Sequence, residues 1–246
     1  MIGIDRPIKP EWIYKTLQMI EQGEKPVVYN EPFEDIAKEL IGKEGKRKVR
    51  TIIFRSFVYM QSGKKIIKPN IFIQWAKKKS LNDLKPIFLF KILMDYEITR
   101  FIAQKMAVNM DSSNSISVSL LSKAMVKEYG DRDVVKRSLR SFLTTLVHFD
   151  VLTQVDKQNY RLLEKKALSK QQICQFLMLY SSEYLKSNVL NIQNIEPEFL
   201  FFFKEIDLQA VAFKFNGKYW EYIRDINRDV LIMKDQQQYI WSKKNN

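Results

Sequence analysis

Four basic side chains and one threonine recur at helical spacing in the middle of the chain. They are Arg132, Lys136, Arg137, Arg140 and Thr144, and the apolar residues between them can face a core. Arg and Lys bind phosphate groups, and Arg also pairs with guanine in the major groove of DNA. The spacing therefore predicts a helix face that contacts nucleic acid, with Arg137 or Arg140 as the base reader. A solvated face without function is the alternative interpretation.

A second basic cluster lies closer to the N-terminus, where residues 42–50 read GKEGKRKVR. Its cations are Lys43, Lys46, Arg47, Lys48 and Arg50. Three interpretations stay open: a phosphate-binding turn, a site for an acidic partner, or a solvated helix start. Cations in the first turns of a helix oppose its dipole, so either nearby acids compensate them or the cluster meets an anion. The segment is not a P-loop, because the Gly-x4-Gly-Lys-Ser/Thr spacing is missing.

The charge of the chain is unevenly distributed. The 246 residues include 41 Lys and Arg against 28 Asp and Glu, which gives a net charge of +13. Residues 1–42 carry a net charge of −3, whereas residues 43–55 and 64–79 together carry +11. Such local positive charge suits a polyanion such as nucleic acid.

Side chains that support catalysis or metal binding are few. His148 is the only histidine and Cys174 the only cysteine, so an intramolecular disulfide is excluded and no Cys/His set for zinc exists. We expect His148 to be a structural residue, and Cys174 to be buried because it lies at apolar helical spacing. No Gly-rich nucleotide loop is evident. The sequence thus predicts a non-enzymatic protein without a metal site or cofactor.

The N-terminus and the longest apolar stretch bear on localisation. The first residues, MIGIDRPIKPEW, lack an apolar run after a basic start, so no secretory signal is predicted. Five charged residues, each costly inside a bilayer, interrupt the apolar stretch over 87–110. They are Lys91, Asp95, Glu97, Arg100 and Lys105. We therefore expect a cytoplasmic protein that does not enter the membrane.

Apolar periodicity predicts helices through most of residues 1–110. The predicted helices cover residues 10–22, 30–42, 45–60 and 70–79, followed by a long central helix that includes 87–106. Asn30 and Asn70 are the expected N-caps of two of these helices, and Ser80 or Asp83 that of the central helix. The polar, turn-prone segment 111–115 predicts a domain boundary.

Residues 115–164 have the pattern of a winged helix. One apolar helical stripe ends at Gly130, and Asp131 is the expected N-cap of the next helix. The members of that stripe are Leu120, Leu121, Ala124, Met125 and Tyr129. Strand-like runs at 151–155 and 160–163 flank a loop with Lys157 near its tip, which predicts a wing. An ordinary helical hairpin followed by an unrelated β-hairpin is the alternative.

The last part of the chain predicts a small α+β extension. Ser169 is the expected cap of a helix over 170–186, and residues 211–215 alternate like a strand before Asn216-Gly217, a strong hairpin signal. The predicted fold class is therefore mainly α. It comprises a helical N-terminal domain at 1–110, a winged helix-turn-helix module at 115–166, and an α+β extension at 169–246.

The order of these parts resembles a known family. The helical N-terminal segment begins RPIKPEWIYKTLQMIEQGEK, the long helix contains LMDYEITRFIAQKM, and the winged-helix segment contains SFLTTLVHFDVL. Over residues 5–165 this arrangement resembles the BrxA family of the bacteriophage-exclusion (BREX) defence systems. The resemblance implies a non-enzymatic, helical protein that binds DNA beside other defence-system proteins, and it carries over no catalytic residue.

The sequence as a whole predicts a cytoplasmic protein that binds double-stranded DNA. The candidate DNA-binding residues are Arg132, Lys136, Arg137, Arg140, Thr144, Lys157, Lys43, Lys46, Arg47, Lys48 and Arg50. One alternative is a protein-docking scaffold, because winged helices also mediate dimerisation and partner binding. Another is a winged-helix transcription regulator.

Overall fold

The computed structural model of the protein describes residues 3–59, 66–110, 114–226 and 228–234. Helices dominate this part of the chain, and two three-stranded antiparallel sheets accompany them. The prediction of a mainly α fold with a small α+β C-terminal part is confirmed. Across these ranges, no helix combines the length and the apolar character needed to cross a membrane.

Two units divide the chain, Met1–Glu164 and Lys165–Asn246. The second unit begins beside the predicted start of the C-terminal extension. The predicted boundary at 111–115 lies within the first unit, and its residues 111–113 are outside the described ranges. The separation of a domain at 1–110 from a module at 115–166 therefore stays a prediction.

Among the described residues up to 110, the first unit has six α-helices. They are α1 (Pro10–Met19), α2 (Asn30–Ile36), α3 (Lys43–Ile53), α4 (Ile71–Lys78), α5 (Leu81–Asp95) and α6 (Glu97–Asn109). A π-helical turn, Phe54–Val58, continues α3, whose predicted end at residue 60 lies outside the described residues. The predicted cap at Asn30 is wrong, because Asn30 follows a 3-10 turn and is already helical with φ −66°. The helix that it begins ends at Ile36, well before residue 42.

The caps of α4 and α5 agree with the sequence prediction. The Asn70 side chain accepts hydrogen bonds from the backbone N–H groups of Phe72 and Ile73. Ser80 and Asp83 form a reciprocal capping box at the start of α5. Every residue over 87–94 is buried, as expected for the central core helix.

The prediction of a continuous helix over 87–106 is wrong, because the helix is interrupted at Tyr96, whose backbone is extended with φ −121°. Arg100 of α6 stabilises this interruption. Its Nη1 donates to the carbonyl oxygens of Leu93 (2.9 Å) and Met94 (2.8 Å), so these two carbonyl groups at the end of α5 have hydrogen-bond partners although the helix does not continue.

The first unit continues with a strand, two helices and a hairpin. The elements are β1 (Ser115–Ser117), α7 (Val118–Tyr129), α8 (Asp133–His148), β2 (Leu152–Gln154) and β3 (Asn159–Leu162). The antiparallel sheet has the order β1-β3-β2, and β1 was not predicted. Two local predictions are wrong: Leu120 is 53% exposed, and Arg132, not Asp131, occupies the N-cap position of α8. Of the predicted apolar stripe of α7, Leu121 and Met125 are the buried residues.

In the described part of the second unit, three α-helices, a π-helical segment at Tyr180–Leu185 and a 3-10 turn at Ile192–Asn194 accompany the second sheet. The α-helices and strands are α9 (Lys170–Leu179), β4 (Val189–Asn191), α10 (Pro197–Leu200), α11 (Leu208–Lys214), β5 (Trp220–Asp225) and β6 (Arg228–Met233). Ser169 caps α9 as predicted, and Cys174 is fully buried. The sheet order is β4-β6-β5.

The hairpin predicted at residues 216–217 is wrong. Val211 and Phe213 lie in α11, whose period leaves Phe213 75% exposed while Val211 and Phe215 are buried. The side chain of Asn216 accepts a hydrogen bond from the backbone N–H of Tyr222. The hairpin of this unit instead joins β5 to β6.

Candidate nucleic-acid interface

A groove with a volume of about 1070 Å³ lies between α7, α8 and the β2–β3 hairpin. Its polar lining consists of Ser119, Ser122, Lys123, Lys127, Lys136, Arg140, Thr144, Gln154, Lys157 and Gln158. Its apolar lining consists of Val118, Val126, Leu139, Leu143 and Tyr160. We call this surface the basic groove.

Helical period explains why α7 and α8 present polar side chains to the groove. Leu121 and Met125 bury one side of α7, so Lys123 and Lys127, which are one turn apart, lie outside the core. On α8 the buried face includes Val135 and Phe142. The lining positions 136, 140 and 144 are spaced by four residues and form one stripe along that helix.

The turn of the β2–β3 hairpin holds the third wall in place. The carboxylate of Asp156 accepts hydrogen bonds from the backbone N–H groups of Gln158 (2.7 Å) and Asn159 (2.9 Å). It also accepts one from the Asn159 side-chain amide, and this bond is the main reason that the pKa of Asp156 lies below its ordinary value. The closed turn leaves Lys157 exposed at the tip.

The lining of the groove is strongly positive. It contains five cations and no carboxylate: Lys123, Lys127, Lys136, Arg140 and Lys157. Asp131, which lies outside the lining, pairs with Lys136. Within the described residues the other four cations form no ion pair. Serine and threonine hydroxyls and two glutamine amides supply further hydrogen-bonding groups.

Six DNA-binding residues were predicted between positions 132 and 157; four of them line this groove and two do not. Lys136, Arg140, Thr144 and Lys157 line it. Arg132 and Arg137 are exposed. The Nε of Arg132, the N-cap of α8, donates to the carbonyl oxygen of Tyr129 at the end of α7, and the Nε of Arg137 donates to the carbonyl oxygen of Asp133 in its own helix.

Sequence reasoning missed the contribution of α7 to the groove. Lys123 and Lys127 lie four residues apart on the side of α7 that the buried Leu121 and Met125 leave free. That spacing was a usable signal. The positions of Gln154 and Gln158 depend on the strand register, which the sequence does not specify.

The second predicted cluster lines a smaller cleft of about 200 Å³ between α2 and α3. Its lining consists of Asn30, Phe33, Glu34, Lys43, Lys46, Arg47 and Arg50. We call this surface the α2–α3 cleft. Lys48, the fifth predicted cation, is not part of the lining.

Nearby acids compensate part of this cluster. Arg47 forms a two-fold hydrogen-bonded pair with Glu44, at 2.9 and 2.8 Å, and this contact is the main cause of a lowered pKa of Glu44. Lys48 lies 3.4 Å from the carboxylate of Asp5 and 3.7 Å from that of Glu44. Compensation by acids, one of the two expected outcomes, therefore applies to Arg47 and Lys48.

His148 and the acidic side chains are the remaining candidates for catalysis or metal binding. His148 ends α8, is partly buried, and burial lowers its pKa. In the part of the chain that the structure describes, no group of three or more His, Cys, Asp or Glu side chains is arranged to hold a metal ion.

Comparison with known proteins finds no matching family, no matching curated protein and no matching solved structure.

Proposed function

We propose that the protein is a non-enzymatic DNA-binding protein that holds duplex DNA against the basic groove. The observation that carries this proposal is a concave surface lined by five cations and no carboxylate. Lysine and arginine side chains that neutralise phosphates release condensed counterions, and this release supplies much of the affinity for DNA. The hydroxyl groups of Ser119, Ser122 and Thr144 add neutral donors of the kind that contact the DNA backbone.

The order of elements supports a winged helix-turn-helix. Helix α6 is followed by β1, α7, α8 and the β2–β3 hairpin, and β1 completes the sheet beside β3. In that arrangement α8 is the recognition helix, which enters the major groove, and the hairpin is the wing.

The lining suggests a division of labour between the walls. The α7 wall offers Lys123, Lys127 and serine hydroxyls, which suit phosphate oxygens and carry no sequence information. The α8 wall offers Arg140, whose planar group pairs with the O6 and N7 atoms of guanine. Arg140 is a better candidate base reader than Arg137, because Arg140 lines the groove and Arg137 donates to its own helix.

The wider role is part of the same proposal. The BrxA resemblance supports an accessory function in phage defence, in the cytoplasm and beside other defence-system proteins. The cations of the α2–α3 cleft, together with Lys48, are proposed as a second contact with the DNA backbone.

The test is fluorescence anisotropy of labelled duplex DNA with the purified protein across a salt series. Four or five phosphate contacts predict a slope of log affinity against log salt of about −4, since each contact contributes about 0.9. Failure to bind duplex DNA at low salt would refute the proposal and favour the protein-docking scaffold.

Two single variants test the assignment of the base reader. Arg140→Ala is expected to weaken duplex binding by about 1–3 kcal/mol and to relax the preference at one base pair. Arg137→Ala, on the same helix and with the same loss of charge, is the matched control and is expected to have a smaller effect. Equal losses would contradict the assignment of Arg140, and unchanged affinity in both would remove α8 as the recognition helix.

A further inference from the structure

The α2–α3 cleft has the features of a distinct anion site. Four of its cations lie on one face of α3 at relative positions 0, 3, 4 and 7: Lys43, Lys46, Arg47 and Arg50. The opposite wall belongs to α2 and presents Phe33, Glu34 and Asn30. The site is thus a concave surface between two elements, with a lining of its own that shares no residue with the basic groove.

Lys46 is the most informative of these residues. Its side chain is only 19% exposed, and its Nζ lies 4.0 Å from a carboxylate oxygen of Glu34. A separation of 4.0 Å is beyond hydrogen-bonding distance, so the N–H groups of Lys46 make no hydrogen bond to Glu34 and can donate to a bound anion.

The charge balance of the lining also favours an anion as the ligand. Its four cations face one carboxylate within the lining, Glu34, and Glu44 neutralises Arg47 from outside it. Two positive charges remain in excess. Lys43 and Arg50 form no ion pair within the ranges that the structure describes.

We propose that the α2–α3 cleft binds a single phosphate group. A volume of about 200 Å³ is smaller than a typical pocket for an organic ligand, and so suits a small anion. Arginine matches phosphate oxygens with paired N–H groups, and Lys46 supplies a point charge. The excess of two positive charges favours a dianion, that is, inorganic phosphate or a phosphate monoester. The phosphodiester backbone of DNA is the other source of the same chemistry.

The experiment titrates the full chain with inorganic phosphate at constant ionic strength and follows thermal unfolding. A ligand that binds the folded state raises the melting temperature in a saturable way. The double variant Lys46→Gln, Arg50→Gln is expected to raise the half-saturating concentration by at least about tenfold, because two charge-assisted contacts are lost. The variant Lys15→Gln, Lys38→Gln has the same loss of charge at exposed positions that line neither basic surface, and it is expected to respond as the wild type does.

A reverse variant keeps the test informative even if the double variant folds poorly. Glu34→Gln removes the carboxylate of the lining and is expected to lower the half-saturating phosphate concentration. A wild-type protein without a saturable response to phosphate would overturn the proposal. So would a double variant that responds as strongly as the wild type, or a Glu34→Gln variant that binds phosphate no more tightly.

Two further arms identify the source of the phosphate. Dimethyl phosphate carries one charge and mimics the DNA backbone. Two results together would support a backbone contact: dimethyl phosphate saturates the protein at concentrations similar to inorganic phosphate, and the Lys46→Gln, Arg50→Gln variant has a lower salt slope for DNA. Saturation by inorganic phosphate alone, with an unchanged DNA slope, would support a free phosphate or a monoester. Because phosphate binding is measured without DNA, failure of the cleft and failure of the basic groove to bind DNA are separate results.

Discussion

Replacement of Lys123 and Lys127 by glutamine tests whether DNA lies in the basic groove or only against the outer face of α8. Both lysines are exposed on α7, line the groove and form no ion pair in the described part of the chain. Glutamine has nearly the helix propensity of lysine, so α7 should persist. The double variant therefore removes two positive charges from one wall and leaves α8 unchanged.

The size of the effect follows from counterion release. Each lost phosphate contact removes about 0.9 from the slope of log affinity against log salt, so two contacts remove about 1.8. If wild type and variant bind equally at 1 M salt, this difference in slope makes the variant bind about 60-fold more weakly at 0.1 M salt, a loss of about 2.5 kcal/mol. The loss should be uniform across DNA sequences, because phosphate contacts carry no sequence information.

The assay is anisotropy with duplexes of different sequence, each at five or more salt concentrations. The control variant is Lys15→Gln, Lys38→Gln, which removes the same charge from exposed positions in α1 and just after α2. A slope that changes no more in the groove variant than in the control would refute the placement of DNA between the two helices. A selective loss for some DNA sequences would contradict the assignment of α7 to the phosphate backbone.

Two further predictions concern acidic residues. Asp131→Asn should release Lys136 from its ion pair and make the salt slope steeper by up to about 0.9, and a shallower slope in anisotropy would contradict this. In the second unit, buried Asp229 accepts hydrogen bonds from Tyr222, Gln193 and Gln209, and the Tyr222 contact is the first cause of its lowered pKa. Because the folded pKa lies below the ordinary value of 3.8, the stabilisation is complete above that value and is lost as the pH falls through the folded pKa. Chemical denaturation should therefore find Asp229→Asn about 2 kcal/mol less stable at pH 7, with the difference shrinking below about pH 4; a constant difference would contradict the reasoning.

Local chemistry accounts for the elements that the sequence predicts well. The side chains of Asn70, Ser80 and Ser169 fix the starts of their helices through hydrogen bonds within three residues, so no tertiary information is needed. The buried stripe of α8 likewise follows from its helical period.

The wrong predictions arise where two structures share one pattern. Alternating apolar residues at 211, 213 and 215 fit a strand, but positions 211 and 215 are also four apart and can share a helix face. The break at Tyr96 leaves the apolar period intact, and the two backbone acceptors of Arg100 are not visible in the sequence. In both places the sequence pattern fits more than one structure and does not select between them.

The candidate site was half predictable for a similar reason. The cations of α8 share a helix face in any fold, whereas their approach to Lys123, Lys127 and the hairpin requires the helices to be packed. Arg132 and Arg137 belong to the predicted face, yet neither lines the groove, and the Nε of each donates to a nearby backbone carbonyl group.

Where the acids lie distinguishes the two basic surfaces better than the net charge does. Residues 1–164 contain 29 Lys and Arg against 19 Asp and Glu, and so carry +10 of the net +13. Around α3 the acids are close: Glu44 pairs with Arg47, Asp5 with Lys48, and Glu34 faces Lys46. Among the five cations of the basic groove, the described residues show one ion pair, that of Lys136 with Asp131. Mobile counterions are released only where no fixed carboxylate already neutralises a cation, so the groove should dominate the salt dependence of DNA binding although the α3 cluster is denser in sequence.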